Sequence, residues 1–296
     1  MGVHLPLGGG LGGAAEYAAS LKLNCAQLFA GNPRSFAPCN WTCEAMEAFR
    51  QAAEEQGLRP LVVHARYLCN LASPDPEQQR LTRESLLDSL RVADAIGAGL
   101  VVVHSGAHLG DGAEAGIQRA QDCMRAVLAE YEGPARLLLE NGTGAGTGLG
   151  ADLSELAGLA ERLEEERVGF CLDTAHLHAA GYDFGEPKSL TLLDNQVRGE
   201  LGLARLVLLH VNDNSCELGG RWDRHEQLGA GRIGQEGFEA LFGPSWAKGL
   251  PCILETPKQP ATADRRNVNW LRRLLTGKPP GRPLKPVRSG QAGGAK

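Results

Sequence analysis

Six short apolar runs each end in an acid or an imidazole. They are LVVHA at His64, VVVHS at His104, LLLEN at Glu140, FCLDT at Asp173, VLLHV at His210 and CILET at Glu255. A polar or charged group at the end of a buried strand needs a partner, and a shared cation supplies one. His176 stands three residues after Asp173, so a strand-end carboxylate and an imidazole one turn onward face one rim. Taken alone, Asp173 reads equally well as an ordinary helix cap. Asp223 and His225 sit in GRWDRHEQLGAGRIG, where Asp-x-His is by itself a weak signal. Together, five of the eight histidines join four carboxylates. Imidazole and carboxylate without thiolate suit Zn²⁺, with Mn²⁺ or Fe²⁺ as alternatives. Nine ligands exceed the need of one ion. About three ions, two of them sharing a bridging carboxylate, account for the set.

The runs that carry these residues recur along the chain. They are Val3–Leu7, Cys25–Ala30, Pro60–Ala65, Leu100–Ser105, Arg136–Asn141, Val168–Asp173, Leu206–Val211 and Pro251–Thr256. Helical patterns lie between them: Gly13–Leu23, Cys43–Gln56, Pro76–Ile96, Gly116–Tyr131, Leu153–Glu166, Lys188–Glu200, Gly237–Phe242 and Ala263–Leu275. Near-continuous apolar strands alternating with helices indicate a parallel sheet covered on both faces. Eight such units are the number that closes a (β/α)8 TIM barrel, and its active sites form at the carboxyl ends of the strands. The expected fold is therefore α/β, a TIM barrel of one domain over residues 1–276. A doubly wound open sheet is the runner-up.

Composition excludes several classes. The chain has 296 residues and 43% hydrophobic content, enough for a large core. No apolar run approaches the roughly 20 residues of a membrane span. The N-terminal MGVHLPLGGG lacks the layout of a secretory signal. Eight cysteines occur without a CxxC pair, and Cys25, Cys171 and Cys252 lie inside apolar runs. That usage fits a reducing, cytoplasmic setting. Net charge is −5, which speaks against a large basic surface. The segment 277–296 holds five cations and no acid, and without it the body falls to −10. Rich in Pro and Gly, this tail reads as a disordered, solvated terminus, with a flexible phosphate tether as the sharper alternative.

The motifs QLFAGNPRSF, VVHARYLCNLASP, VVVHSGAHLG, LLENGTGAGTGLG, CLDTAHLHAAGYDF, LLHVNDNS, GRWDRHEQLGAGRIG and ILETP together resemble the endonuclease IV family of apurinic/apyrimidinic (AP) endonucleases. The similarity runs from about Val3 to Leu275. It implies that His64, His104 and Glu140 hold a first zinc. Glu140 bridges to a second, completed by Asp173, His210 and Glu255, while His176, Asp223 and His225 hold a third. It implies a base-excision-repair hydrolase that cuts duplex DNA 5′ to abasic sites by metal-activated hydroxide. Glu140, Glu255 and Asp173 are then the central catalytic carboxylates, and 3′-end trimming is a possible companion activity. The same resemblance places Arg34, Tyr67 and Leu68 in the DNA stack. The expected partner is duplex DNA with abasic sites and no membrane, and the chain is expected to be a monomer.

Ser105, Ala145, Asn214 and Ser215 depart from the family pattern, each at a position where a DNA-facing contact is expected. His4 reads as a non-ligand lining the rim, and His108 and His178 as satisfied polar residues. Gly146–Ala151, GTGLGA, fits a dinucleotide fingerprint, but a lone match in a glycine-rich loop is weak. The competing enzyme reading is a divalent-metal sugar isomerase or epimerase on a similar barrel. A non-catalytic, metal-dependent DNA-damage binding module is the other alternative.

Overall fold

The computed structural model of the chain describes residues 1–161, 163, 166–243 and 246–285. Eight parallel strands form one sheet: β1 (Gly2–Val3), β2 (Ala26–Phe29), β3 (Leu61–His64), β4 (Leu100–His104), β5 (Arg136–Glu140), β6 (Val168–Asp173), β7 (Leu206–His210) and β10 (Cys252–Leu254). The order is β1-β10-β7-β6-β5-β4-β3-β2. A parallel bridge between His4 and Gln27 joins the two ends. The Leu5 N–H donates to the Gln27 carbonyl at 2.7 Å across that seam. The sheet is thereby a barrel, and every expected apolar run contributes a strand. The first is shorter than the run Val3–Leu7 that sequence alone suggests. Pro6 has no N–H for a ladder, and the chain leaves the sheet there.

Nine helices cover the outside among the described residues: α1 (Gly10–Leu21), α2 (Cys43–Glu55), α3 (Pro76–Ile96), α4 (Ala113–Glu130), α5 (Leu153–Leu159), α6 (Thr174–Ala180), α7 (Pro187–Gln196), α8 (Gly234–Leu241) and α9 (Ala263–Leu275). The helix expected over Leu153–Glu166 stops at Leu159, where the Ala160 N–H turns back onto the Ala157 carbonyl. Glu164 and Glu165 lie outside the described residues. A small antiparallel hairpin, β8 (Asp213–Asn214) with β9 (His225–Glu226), rises from the loop after β7. Of the basic tail, residues 277–285 are described, and Leu284 is buried. Residues 286–296 lie outside the description.

Strand alternation splits the core in two. Cys25, Val62, Val102, Leu138, Cys171, Leu208 and Ile253 form one fully buried cluster, the layer that fills the barrel. Each comes from a different strand or its first flank. Their sequence neighbours, such as Val63, Val101, Leu137, Leu139, Phe170 and Leu209, belong to the larger core shared with the helices. Successive side chains of a strand point to opposite faces, so residues two apart share one. Two residues beyond the filling layer stand Gln27, His64, His104, Glu140, Asp173, His210 and Glu255. The layer is thus a floor, and the polar residues stand directly on it.

Leu138→Ala opens a void in this floor, which cannot collapse because seven strands fix its walls. The expected loss is about 2–5 kcal/mol of unfolding free energy, measured by urea denaturation. A loss well under that range would mean the barrel interior is not close-packed.

Candidate metal centre

Inward alternation of the strands, with His176 from α6 and His225 from the hairpin, brings eight of the nine expected ligands into three overlapping groups. These are His64, His104 and Glu140; Glu140, Asp173, His210 and Glu255; and Asp173, His176 and His225. Within each, the donor atoms lie within 4.8 Å of one another. Asp223 reaches in from the hairpin, its oxygens 3.5 Å from His176 Nε2 and 3.1 Å from His225 Nε2. Glu140 is the hub. Its Oε2 lies 3.2 Å from Nε2 of both His64 and His104, and its Oε1 lies 2.9 Å from His210 Nδ1. Asp173 enters two groups, beyond the single one that the resemblance implies. It also caps α6, its Oδ1 accepting the His176 N–H at 2.9 Å. The cap and the cluster are therefore one residue.

The other nitrogen of most of these rings is already committed. His64 Nδ1 is 2.7 Å from the Ala65 carbonyl, His176 Nδ1 is 2.9 Å from the Asn141 carbonyl, and His225 Nδ1 is 3.3 Å from the Glu255 carbonyl. His210 Nε2 is 2.8 Å from Gln27 Oε1. A carbonyl only accepts, so each of these ring nitrogens carries the proton. The opposite nitrogen then presents a lone pair to the centre. There it faces carboxylate oxygens, acceptor against acceptor. His176 Nε2 and His225 Nε2 are buried without a hydrogen-bond partner. Such a shell requires positive charge at its centre, as extra protons or as metal ions, so these residues fit a divalent cation cluster.

Protonation in the metal-free protein obeys the same demand. Burial opposes charge on Glu140, yet the His210 and His104 imidazoles hold its carboxyl well below the usual range. Burial likewise opposes charge on Glu255, where His210 and the His4 hydrogen bond win. His176, His104 and His225 are raised despite burial by the surrounding carboxylates, and His210 by Cys171 and then by Glu255 and Glu140. His4 differs: burial prevails over Glu255 and lowers it. It lines the rim beside Phe29, ring centroids 4.3 Å apart, and joins none of the three groups. His108 Nδ1 accepts the Gly112 N–H at 3.0 Å, whereas His178 Nδ1 is buried with no partner.

Sequence reasoning missed the residues that aim the ligands. Gln27 is fully buried. Its Oε1 accepts from His210, and its Nε2 donates to Glu255 Oε1 at 2.6 Å. Asn141 Oδ1 accepts the Asp173 N–H at 2.7 Å. Asn212 Nδ2 donates to Asp173 Oδ2 at 2.6 Å, and its Oδ1 accepts the Glu255 N–H at 2.7 Å. The usable signal was register. Gln27 stands two residues past Cys25, at the β2 position equivalent to His64 on β3. Ser105 is buried, its Oγ donating to the Glu140 carbonyl at 2.8 Å. A Cβ on Gly150 would come within 2.5 Å of that Oγ, which is why this loop needs glycine there.

Arg34, Tyr67 and Leu68 lie on adjoining loops above the His64 side of the centre. The Tyr67 N–H donates to the Pro33 carbonyl at 3.1 Å, tying the two loops together. Tyr67 is 59% and Leu68 37% exposed, though the Tyr67 ring sits 6.1 Å from His64. Partial burial, then the fields of Glu255 and Asp223, push the Tyr67 phenol up to about 12. Beneath them Arg66 is buried, bonded to Asp88 Oδ2 at 2.6 Å and to the Ala30 carbonyl at 2.8 Å. Asp88 Oδ2 also accepts the Cys39 N–H at 3.0 Å. One ion pair, its guanidinium buried and its carboxylate half-buried, thus anchors both loops.

A closed parallel barrel with divalent-metal donors standing on its carboxyl end defines the class of this protein: a metal-dependent barrel enzyme. Residues 15–274 match the family described as a xylose isomerase-like TIM barrel. A probable endonuclease 4 from Carboxydothermus hydrogenoformans is 37% identical over 272 residues, covering 92% of this chain and 96% of that one. The crystal structure of endonuclease IV from Thermus thermophilus superposes with a TM-score of 0.79 at 37% identity, over 93% of this chain and 98% of its own. A D-tagatose 3-epimerase-like protein reaches a TM-score of 0.72 at 18% identity, covering 93% and 96%, a likeness of fold alone. The chain belongs to the endonuclease IV family of xylose isomerase-like barrels. No helix among the described residues is long and apolar enough to cross a membrane.

Gln27→Leu keeps volume but frees His210 and Glu255 from their tether. Metal affinity is expected to fall roughly 10–100-fold, read by competition with a chromogenic chelator. Unchanged affinity would reduce Gln27 to packing. A second expectation concerns pH. In the metal-free protein the raised histidines stabilise fully below their ordinary 6.5 and lose that contribution as pH climbs through their folded values. The lowered glutamates stabilise fully above 4.5 and lose it as pH falls. Metal-free stability should therefore decline from about pH 6.5 upward, while stabilisation by added zinc grows over about pH 5 to 8 as ions displace protons. Melting curves with chelator and with zinc would check both, and metal-free stability rising through that range would contradict the assignment.

Proposed function

We propose that this chain is a DNA repair endonuclease that cleaves the phosphodiester 5′ to an abasic site in duplex DNA. The products would be a 3′-hydroxyl and a 5′-deoxyribose phosphate. One observation carries the reading: nine donors converge in overlapping groups that share Glu140 and Asp173. Membership in the endonuclease IV family, with relatives named as endonucleases, supports it.

His64, His104 and Glu140 would hold one zinc, and Glu140, Asp173, His210 and Glu255 a second. His176, Asp223 and His225 would hold a third, with Mn²⁺ an alternative at any of them. Bound divalent ions lower the pKa of water from 15.7 to about 7, supplying hydroxide at neutral pH, and neutralise phosphate charge. Three such ions against four carboxylates leave about +2. An acidic protein would thereby present a positive mouth to an anionic substrate. Glu140, with its Oε2 toward His64 and His104 and its Oε1 toward His210, would serve two of these sites, and Asp173 and Glu255 would complete the far side. Arg34, Tyr67 and Leu68 stand beside this mouth to enter the duplex. An abasic nucleotide has no base to unstack, so its extrusion costs less than that of an intact one. Apolar wedges from the minor-groove side kink the duplex and fill the gap. The protein is taken to act as a monomer. Nothing beyond a shared barrel supports sugar epimerisation, and the third donor group has no use in that reading.

The test is nicking of a duplex with a single abasic site, with metal removal and add-back. Activity should vanish with chelator and return with zinc, and elemental analysis should find about three ions per chain. Glu140→Gln should fold and bind the duplex yet lose at least roughly 100-fold in nicking. Near-normal nicking by that variant, or a single ion per chain, would sink the reading.

A further inference from the structure

Five of the seven large hydrophobic side chains exposed among the described residues stand on carboxyl-end loops. Tyr67 and Leu68 occupy one side of the centre. The most exposed of all, Trp222 at 64%, occupies the other. It directly precedes Asp223, whose oxygens touch His176 and His225 rather than the His64 group. The chain's other tryptophans are half-buried (Trp41, Trp246) or buried (Trp270).

The loop that presents this indole is pinned rather than free. The Ser215 N–H donates to the Arg224 carbonyl at 2.9 Å, closing the hairpin. The Gly219 and Arg221 N–H groups donate to the His178 and Ala179 carbonyls, both at 3.0 Å, docking it on the end of α6. Arg221 holds φ 60, a left-handed backbone that a non-glycine residue adopts only under constraint. The Arg224 guanidinium lies over the indole, 5.8 Å from the ring centroid. An amphipathic ring held rigidly in water, between two arginines and beside a cation site, is a stacking platform with phosphate-binding flanks.

We propose that Trp222 stacks on a nucleobase or deoxyribose of the DNA across the metal centre from Tyr67 and Leu68, with Arg221 and Arg224 on the adjoining phosphates. The duplex would then be gripped on both sides of the scissile bond. This inference rests on the nuclease reading and gives it a second contact surface.

The experiment uses the zinc-loaded full chain and a duplex with one abasic site, reading tryptophan emission by stopped flow before turnover. DNA should quench part of the emission, and W222F should lack that part. W222A should bind roughly ten-fold or more weakly with zinc content unchanged, and W222F should restore most of the affinity. The proposal is overturned if W222A binds as tightly as the parent chain, or if the full quench persists in W222F. Should W222A lose zinc through Asp223, the W222F quench decides. Nicking by the parent chain without a Trp222 signal removes this inference alone. Quenching without nicking leaves the stacking surface and removes the proposed reaction.

Discussion

Imidazole lone pairs and carboxylate oxygens crowd one small volume around Glu140, and that crowding is stable only with positive charge inside it. Backbone and amide carbonyls have fixed which nitrogen of His64, His176, His210 and His225 carries its proton. What remains faces inward as an acceptor. Protons can satisfy the shell in the metal-free chain, but divalent ions would satisfy it with far greater charge density. Several buried amides and a hydroxyl around it serve this arrangement. Asn212 spans Asp173 and Glu255, Gln27 spans His210 and Glu255, and Ser105 holds the Glu140 backbone.

The barrel delivers such convergence through the two-residue period of the strand. An apolar residue filling the barrel and a polar residue two positions on share one inward face. Repeated around the sheet, this raises a ring of donors on a dry floor. The floor holds the strands rigid and excludes water from below, so the electrostatic demand above is met from the open end. A ligand shifted by one residue would point into the helix layer instead. Glu140 pairs in register with His104, and Asp173 with His210, so neighbouring strands bring complementary groups level.

The loops answer a different requirement. The centre is acidic and buried, while the proposed substrate is large and anionic. Under the proposed function, reading it would fall to projecting groups on anchored backbone: Tyr67 and Leu68 over the Arg66–Asp88 pair, and Trp222 on a hairpin docked to α6. Breaking the Arg66 pair would leave a buried charge uncompensated, so the loops inherit rigidity from the core. Ser105 illustrates how a departure from family pattern is absorbed. Where a DNA-facing contact was expected, the structure has a buried hydroxyl packed against Gly150.

Apolar runs of four to six residues, each closing on His, Asp or Glu, determined the number of strands, their direction and the end at which chemistry collects. That much is local, because side-chain period and burial are properties of the run itself. Even the pairing of Asp173 with His176 follows from a strand end and one helical turn. Asn141 and Asn212 were not legible, because an amide just past a strand end looks like any polar loop residue until the group opposite it is known, and Gln27 was legible only through its register with His64. The sharing of Asp173 between two donor groups, and the place of Trp222 across the centre from Tyr67, were equally hidden. They depend on barrel closure, which brings β1 against β2 and sets each loop's neighbours, and closure is a relation between segments far apart in the chain.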